Sequence, residues 1–383
     1  MKVLILSTTR YPDGGAETTR KHYLAKLFQL LDWQVFVVGR GSSTNFKENN
    51  FDGVRYMSFR STNNGIFTKI FDFLNYTNYT KMVLVDNGPF DAIMILGVPT
   101  STLKYLKEYA KKNKVMLLHD SVEWYSAEQF KLGRMDYRYR KKELWMQNLI
   151  DDNFCVIAIS KYLEKYFEER FIKVERIPVI MDINDIEYFK VVNSTKLTIL
   201  YAGSPGKKDY LKEVLEAVDL LDDNELERLE LKLIGITREQ LSKVCGVSKK
   251  VINKLGNSLV TIGRVPRNEV LSHLLLADFT VLLRSSTQRY AKAGFPTKVV
   301  ESLASATPVI CNLTSDLGDY LVDNVNGIIV DECTPYAFAS GIRRALNLTI
   351  EEKQIMQKNA RKTAEDNFDY RLFLKQMNSL LRD

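Results

Sequence analysis

The chain has 383 residues, of which 45% are hydrophobic and 26% charged, and a formal net charge of +7. That length exceeds one ordinary core and fits two domains, and the composition is that of a soluble globular protein. No apolar stretch approaches the ~20 residues that a helix needs to span a bilayer, so no membrane-spanning helix is expected. Cys155, Cys245, Cys311 and Cys333 have neither disulfide nor metal spacing, and a reducing cytosol is the expected compartment. The positive charge favours anionic partners without choosing among phosphorylated substrates, nucleic acid and a membrane surface.

In chain order, Lys2–Ser7 is a short apolar run that ends at once in polar residues. It reads as a first buried strand and not as a cleaved leader. The loop Thr8-Thr9-Arg10-Tyr11-Pro12-Asp13-Gly14-Gly15-Ala16-Glu17-Thr18 follows, then a helical pattern over Thr18–Leu31. Gly14 and Gly15 allow close backbone approach, and a helix start behind them offers free N–H groups to an anion. The spacing is not that of a dinucleotide fingerprint, and an ordinary tight turn fits equally.

Further strands are expected at Gln34–Val38, Val54–Phe59, Asp91–Leu96, Val115–Leu118 and Phe154–Ile159, with a helix at Thr100–Lys112. Continuous Val, Ile and Leu runs, in place of strict alternation, indicate a parallel sheet covered on both faces. His119-Asp120 stands at the end of one such run, where an imidazole can hydrogen-bond a hydroxyl or a transferring proton, or serve only structure. Between Ser101 and Trp145, eleven Lys and Arg face six Asp and Glu, with Tyr125, Phe130, Tyr137, Tyr139 and Trp145 interleaved. This stretch, including Arg138, Arg140 and Lys141, is either a solvated helical face or a surface for an acceptor or an anionic membrane.

A polar segment near Pro178–Lys196 marks a boundary, after which the alternation restarts. Strands are expected at Leu197–Ala202, Leu229–Ile234, Leu259–Ile262, Phe279–Leu283, Pro308–Cys311 and Gly327–Val330. Thr237 with Gln240, and Thr349 with Glu352, have capping-box spacing, and Thr334 precedes Pro335 at a first helical position. The domains are then 1–180, 181–368 and a C-terminal helix at 369–383 that packs back on the first domain. The expected fold class is α/β, two doubly wound Rossmann-like domains facing across a cleft, with ligands at the carboxyl ends of strands.

Two segments of the second half carry chemistry. Gly203-Ser204-Pro205-Gly206-Lys207-Lys208-Asp209 is a glycine-rich loop whose lysines can neutralise a diphosphate. Gly294-Phe295-Pro296-Thr297-Lys298 turns into a helix whose first N–H groups can receive a phosphate. Glu301 lies one turn on, where a carboxylate can accept both hydroxyls of a ribose. A surface Lys298–Glu301 pair explains the same spacing.

Taken in order, these segments resemble the GT-B glycosyltransferases, particularly the retaining family 4 type. The resemblance rests on Gly14-Gly15-Ala16-Glu17, His119-Asp120, Ile157-Ala158-Ile159-Ser160 leading to Ile177-Pro178-Val179, Tyr201-Ala202-Gly203, Ala277-Asp278, and Gly294-Phe295 through Pro308-Val309 to Asn326-Gly327. It implies that Glu301 binds the donor ribose, that Thr297 and Lys298 hold the diphosphate after the Gly294-Phe295-Pro296 turn, and that Lys207 or Lys208 neutralises the leaving nucleotide. Gly203 and Ser204 belong to the same donor side. Arg264 and Val265 would meet the base, Gly15 would border the diphosphate, and His119 would sit beside the transferred sugar, with Asp120 on the acceptor side.

The chain departs from the family pattern at three points. The first glutamate of the paired-glutamate motif is Ala293, the usual Gly-Arg is Gly203-Ser204, and the loop after it is one residue short. Arg284 or Arg289 is the expected replacement cation. With no Asp-x-Asp and no ligand cluster, no metal or other cofactor is expected, and lysines and helix dipoles meet the diphosphate charge. The resemblance implies a hexosyltransferase using a UDP- or GDP-sugar with retention of configuration. Surface-glycan or cell-envelope assembly, in the cytoplasm and peripherally at the inner face of the membrane, is the expected setting. A glycan, lipid-linked or protein acceptor is expected, and no nucleic acid. A nucleotide-sugar epimerase and a non-catalytic nucleotide-sugar-binding protein remain open alternatives.

Overall fold

A computed structural model describes residues 1–41, 48–59, 66–186, 195–206 and 208–382, with the side chains of 66–72 outside the description. The chain divides into two compact units, Met1–Met181 with Asp369–Asp383, and Asp182–Phe368.

The first unit holds eight strands: β1 Lys2–Arg10, β2 Gln34–Arg40, β3 Glu48–Phe51, β4 Val54–Phe59, β5 Ala92–Leu96, β6 Met116–Ser121, β7 Phe154–Ala158 and β8 Val174–Arg176. They lie in the order β3-β4-β2-β1-β5-β6-β7-β8, parallel except for β3 against β4. Chain direction across the sheet reverses between β1 and β5, so the loops after those strands flank the topological switch. Val3, Ile5, Val37, Met94 and Leu118 give the sheet a fully buried face, as their unbroken apolar runs require.

Two strands here escape the apolar-run reading. β3 is exposed throughout and, but for Phe51, polar, and it exists because Asp52 (φ 47) and Gly53 (φ 75) turn it back onto β4. β8 is three half-buried residues on the sheet edge. β6 also runs further than expected. His119 and Asp120 lie within it, flanked by Ile95 of β5 and by Val156 and Ile157 of β7.

The second unit has six parallel strands: β9 Leu197–Ala202, β10 Leu229–Ile234, β11 Leu259–Gly263, β12 Phe279–Leu282, β13 Val309–Cys311 and β14 Gly327–Ile329. Their order is β11-β10-β9-β12-β13-β14, with the switch between β9 and β12. The expected helix starts are present. Thr237 and Gln240 form a capping box, Thr349 and Glu352 exchange backbone bonds of 2.8 and 3.1 Å, and Thr334 caps the helix that begins with Pro335. Asn193 and Ser194 of the polar boundary segment lie outside the described residues, while Asn184 and Asp185 lie within the second unit.

Candidate functional site

In the second unit, parallel strands bring the loops after β9, β11 and β12 to one edge of the sheet. Gly203 follows β9 directly with φ 147, a backbone region that side-chain-bearing residues rarely enter. The Lys298 side chain runs over it, and a Cβ at Gly203 would lie 2.6 Å from Nζ. Gly235, after β10, is small for a related reason: any Cβ there collides with the carbonyl of Gly203.

Lys298 belongs to the helix Thr297–Ala304, which starts without a side-chain cap. The Val299 N–H already donates to the Pro296 carbonyl at 3.0 Å, so the helix start offers an anion the N–H groups of Thr297 and Lys298. Phe295 and Pro296 are buried, and the Phe295 ring packs against Tyr320 and Phe368 at centroid distances of 5.7 Å each. Their side chains anchor the turn. Gly294 and Thr297, on either side of them, are half-buried.

The Nζ of Lys298 meets Asp209 Oδ2 at 2.5 Å and Tyr201 Oη at 3.2 Å. Arg284 Nε reaches the other oxygen, Asp209 Oδ1, at 3.2 Å. Burial alone would raise the Asp209 pKa, but Lys298 and Arg284 outweigh it and hold the carboxyl at about 2. Arg284 therefore does stand at the loop where the usual arginine is replaced by Ser204. It stands there paired to a carboxylate.

Glu301 is not the surface partner of Lys298. It bonds Arg267 at 2.9 Å, and burial holds its carboxyl above the usual range against the pull of Arg267 and Lys298. Lys208 lies beside the same loop with its ammonium 5.9 Å from the Tyr290 ring centre, while its carbonyl accepts from Tyr290 Oη. Lys207 lies outside the described residues. Ser204 and Arg264 are exposed, and Val265 packs half-buried on a small apolar cluster with Leu200 and Ile234.

In the first unit, Gly15 is the exposed N-cap of the helix Ala16–Leu30. Gly14, one residue earlier, is small because a Cβ would collide with Thr18, whose hydroxyl donates to the Arg10 carbonyl at 2.8 Å. His119 is 2% exposed, with its ring 6.0 Å from that of Trp145, and neither nitrogen has a hydrogen-bond partner among the described residues. Burial, aided by the Lys142 charge, lowers its pKa to about 3, so the ring is neutral at physiological pH.

Asp120 requires a correction. Both of its oxygens take the Arg20 guanidinium at 2.7 to 3.0 Å, and Arg20 also donates to the carbonyls of Ile177 and Pro178. The Asp120 side chain is fully buried, so it ties the helix to the sheet and has no oxygen left for an acceptor. Arg138 is 68% exposed, but it is bound to the helix-capping Asp136 at 2.9 Å; Arg140 is exposed.

Sequence reasoning missed Asp209, Tyr201 and Arg267 as site residues. Asp209 had a legible signal, a carboxylate directly after the two lysines of a glycine-rich loop. Arg267 had none, because its contact with Glu301 is made through the fold. Among the described residues, no group of three or more His, Cys, Asp or Glu side chains is placed to hold a metal ion. Among them, too, no helix is long and apolar enough to cross a membrane.

Residues 182–363 match the family described as Glycosyl transferases group 1, and that match lies within the second unit. An uncharacterized glycosyltransferase of Methanocaldococcus jannaschii is 21% identical over 95% of this chain and 93% of the relative. Sucrose-phosphate synthase from Thermosynechococcus elongatus superposes with a TM-score of 0.77 at 15% identity, covering 99% of this chain and 98% of that one. HepE from Anabaena, solved with UDP and glucose, superposes with a TM-score of 0.69 at 16% identity over 100% of this chain and 99% of that one. The fold is thus that of the GT-B glycosyltransferases.

Proposed function

We propose that the protein transfers a hexosyl group from a UDP- or GDP-sugar to a hydroxyl of a cell-envelope or surface-glycan acceptor, in the manner of the retaining family 4 enzymes. The observation that carries this reading is the helix start at Thr297, without a side-chain cap, with Lys298 and Arg284 at the β9–β12 switch and half-buried Glu301 one turn further on. Backbone N–H groups of Thr297 and Lys298 receive the donor phosphate, and Glu301 takes the ribose hydroxyls. His119, in the first unit, is neutral, so any role it has toward a sugar is that of an uncharged hydrogen-bonding group and not of a charged acid.

In the step itself, the bond from the anomeric carbon to the phosphate oxygen breaks and a bond to the acceptor oxygen forms on the same face. The acceptor proton goes to the departing phosphate. Lysine, arginine and the helix start stabilise the developing diphosphate charge, so activity in EDTA is expected. HepE, which was solved with UDP and glucose, supports a uridine donor as the first to try.

The test is a thermal-shift panel of nucleotides and nucleotide-sugars, followed by transfer assays with and without EDTA. A ligand selective for the native state raises the apparent melting temperature with occupancy. No shift with any nucleoside diphosphate or nucleotide-sugar would sink the reading, and conversion of the donor without any acceptor would replace it with epimerisation.

The acceptor side is proposed to lie at a membrane surface. Leu132, Met135 and Tyr137 are 68, 78 and 66% exposed beside Arg134, Arg138 and Arg140, and the helix Tyr137–Leu144 buries no residue fully. Exposed apolar side chains interleaved with arginines suit an anionic interface. Sedimentation with phosphatidylglycerol vesicles should fall with salt and with charge reversal of Arg134 and Arg140. Equal sedimentation with neutral and anionic vesicles would count against it.

A further inference from the structure

The Asp209 side chain is 9% exposed, yet its two oxygens collect three donors from three separate elements: Lys298 at 2.5 Å, Tyr201 Oη at 2.9 Å and Arg284 at 3.2 Å. The arrangement is rigid. Arg284 is fixed by its own backbone, which exchanges hydrogen bonds of 3.0 and 2.8 Å with the Asn312 side chain. Lys298 is confined over Gly203, with Nζ 4.2 Å from the centre of the Tyr201 ring. One carboxylate bridging an ammonium and a guanidinium beside a helix start without a side-chain cap occupies the electrostatic role that a phosphate would otherwise take.

We propose that Asp209 is a resident anion of the donor site. It holds Lys298 and Arg284 in position in the free protein and competes with the phosphates of a nucleoside diphosphate for both cations. This rests on the nucleotide-sugar reading above and extends it to affinity and release. A bound diphosphate shares these cations with a fixed negative charge, so it is held more weakly than the cations alone would hold it, and it leaves more readily after transfer. Asp209 is a positioning residue: it acts through Lys298 and Arg284 and needs no contact with the reacting atoms.

Titration calorimetry with UDP, GDP, uridine, guanosine and inorganic pyrophosphate tests this on the full chain. Asp209→Asn should tighten nucleoside diphosphate binding about tenfold and steepen its dependence on salt, while nucleoside affinity changes less than twofold; ion pairs that are newly free to meet an anion respond in this way. Asp209→Glu, which keeps the charge, should bind as the unaltered protein does. A merely structural residue would lower nucleoside and diphosphate affinity together, and that result overturns the inference, as does weaker diphosphate binding by the Asn variant. Asp209→Ser serves as the second neutral variant should the first fail to fold, with melting curves as the check. If neither UDP nor GDP binds but pyrophosphate does, the nucleotide reading fails, and tighter pyrophosphate binding by the neutral variant still upholds the role of Asp209. If no phosphate compound binds either form, the inference is overturned.

Discussion

Two lysines, one half-buried and one fully buried, show two ways of treating a desolvated cation. Lys298 in the second unit is paired with a carboxylate, Asp209, at 2.5 Å. Lys21 in the first unit is completely buried and donates only to neutral oxygens, Thr9 Oγ1 at 2.9 Å and the Arg10 carbonyl at 3.3 Å. Burial lowers the Lys21 pKa to about 7, with Glu17 opposing too weakly to restore it. A desolvated ammonium keeps its proton where a fixed anion repays the loss of water, and surrenders it near neutrality where only dipoles do. Both residues sit under strand ends at the switch of their own sheet. The first unit does pair one buried cation in the same way, Arg20 with Asp120, but it leaves Lys21 without a carboxylate and His119 uncharged.

The contrast is broken most severely by Lys298→Met. Asp209 then keeps only Arg284 as a cationic partner while remaining buried, and breaking a buried pair from one side costs on the order of 3 kcal/mol. The sign with pH follows from the depressed carboxyl. In the unaltered protein, Asp209 contributes stability above its ordinary value of 3.8 that is lost as pH falls toward about 2, roughly 2 kcal/mol for this shift. In Lys298→Met the carboxyl pKa rises, so the gap in melting temperature between the two proteins should be widest at pH 7 and narrow on acidification. A variant whose deficit is the same at pH 7 and pH 3 would show that the pair does not set stability. Donor binding should weaken in parallel.

How much of this was legible in the sequence follows the same division. The buried strands announced themselves because parallel sheets covered on both faces need unbroken apolar runs, as in Leu197–Ala202 and Leu229–Ile234. Capping boxes did so because their hydrogen bonds lie within four residues. β3 gave no such sign: Glu48-Asn49-Asn50-Phe51 is exposed and, but for Phe51, polar, and only Asp52-Gly53 encodes its turn. Lys298 and Glu301 were visible at i and i+3, but their true partners, Asp209 and Arg267, lie 89 and 34 residues away along the chain. Spacing therefore favoured the one pairing that the fold does not make. Asp120 shows the same limit. A carboxylate at a strand end looked free for a ligand, whereas Arg20, a hundred residues earlier, encloses it.

Lys21→Met sharpens the comparison from the other side, with a smaller effect of opposite sign. Its two acceptors keep other donors or partners, because the Arg10 carbonyl also accepts from Thr18 and Thr9 Oγ1 also bonds Ser7. The lost hydrogen bonds are thus worth about 1 kcal/mol each at most, less than the cost of carrying a buried charge. Between about 7 and the ordinary 10.5, the unfolded chain holds one proton more than the folded chain at this residue, so stability contributed by Lys21 rises with pH across that window. Methionine removes this slope. The variant should be the more stable protein at pH 6 in denaturant unfolding, and its advantage should shrink and then reverse as pH climbs toward 10, since the window is worth about 1.4 kcal/mol per pH unit. An advantage that stayed constant from pH 6 to 10 would mean that Lys21 keeps its proton throughout, and that the first unit stabilises a buried cation as effectively with dipoles as the second does with Asp209.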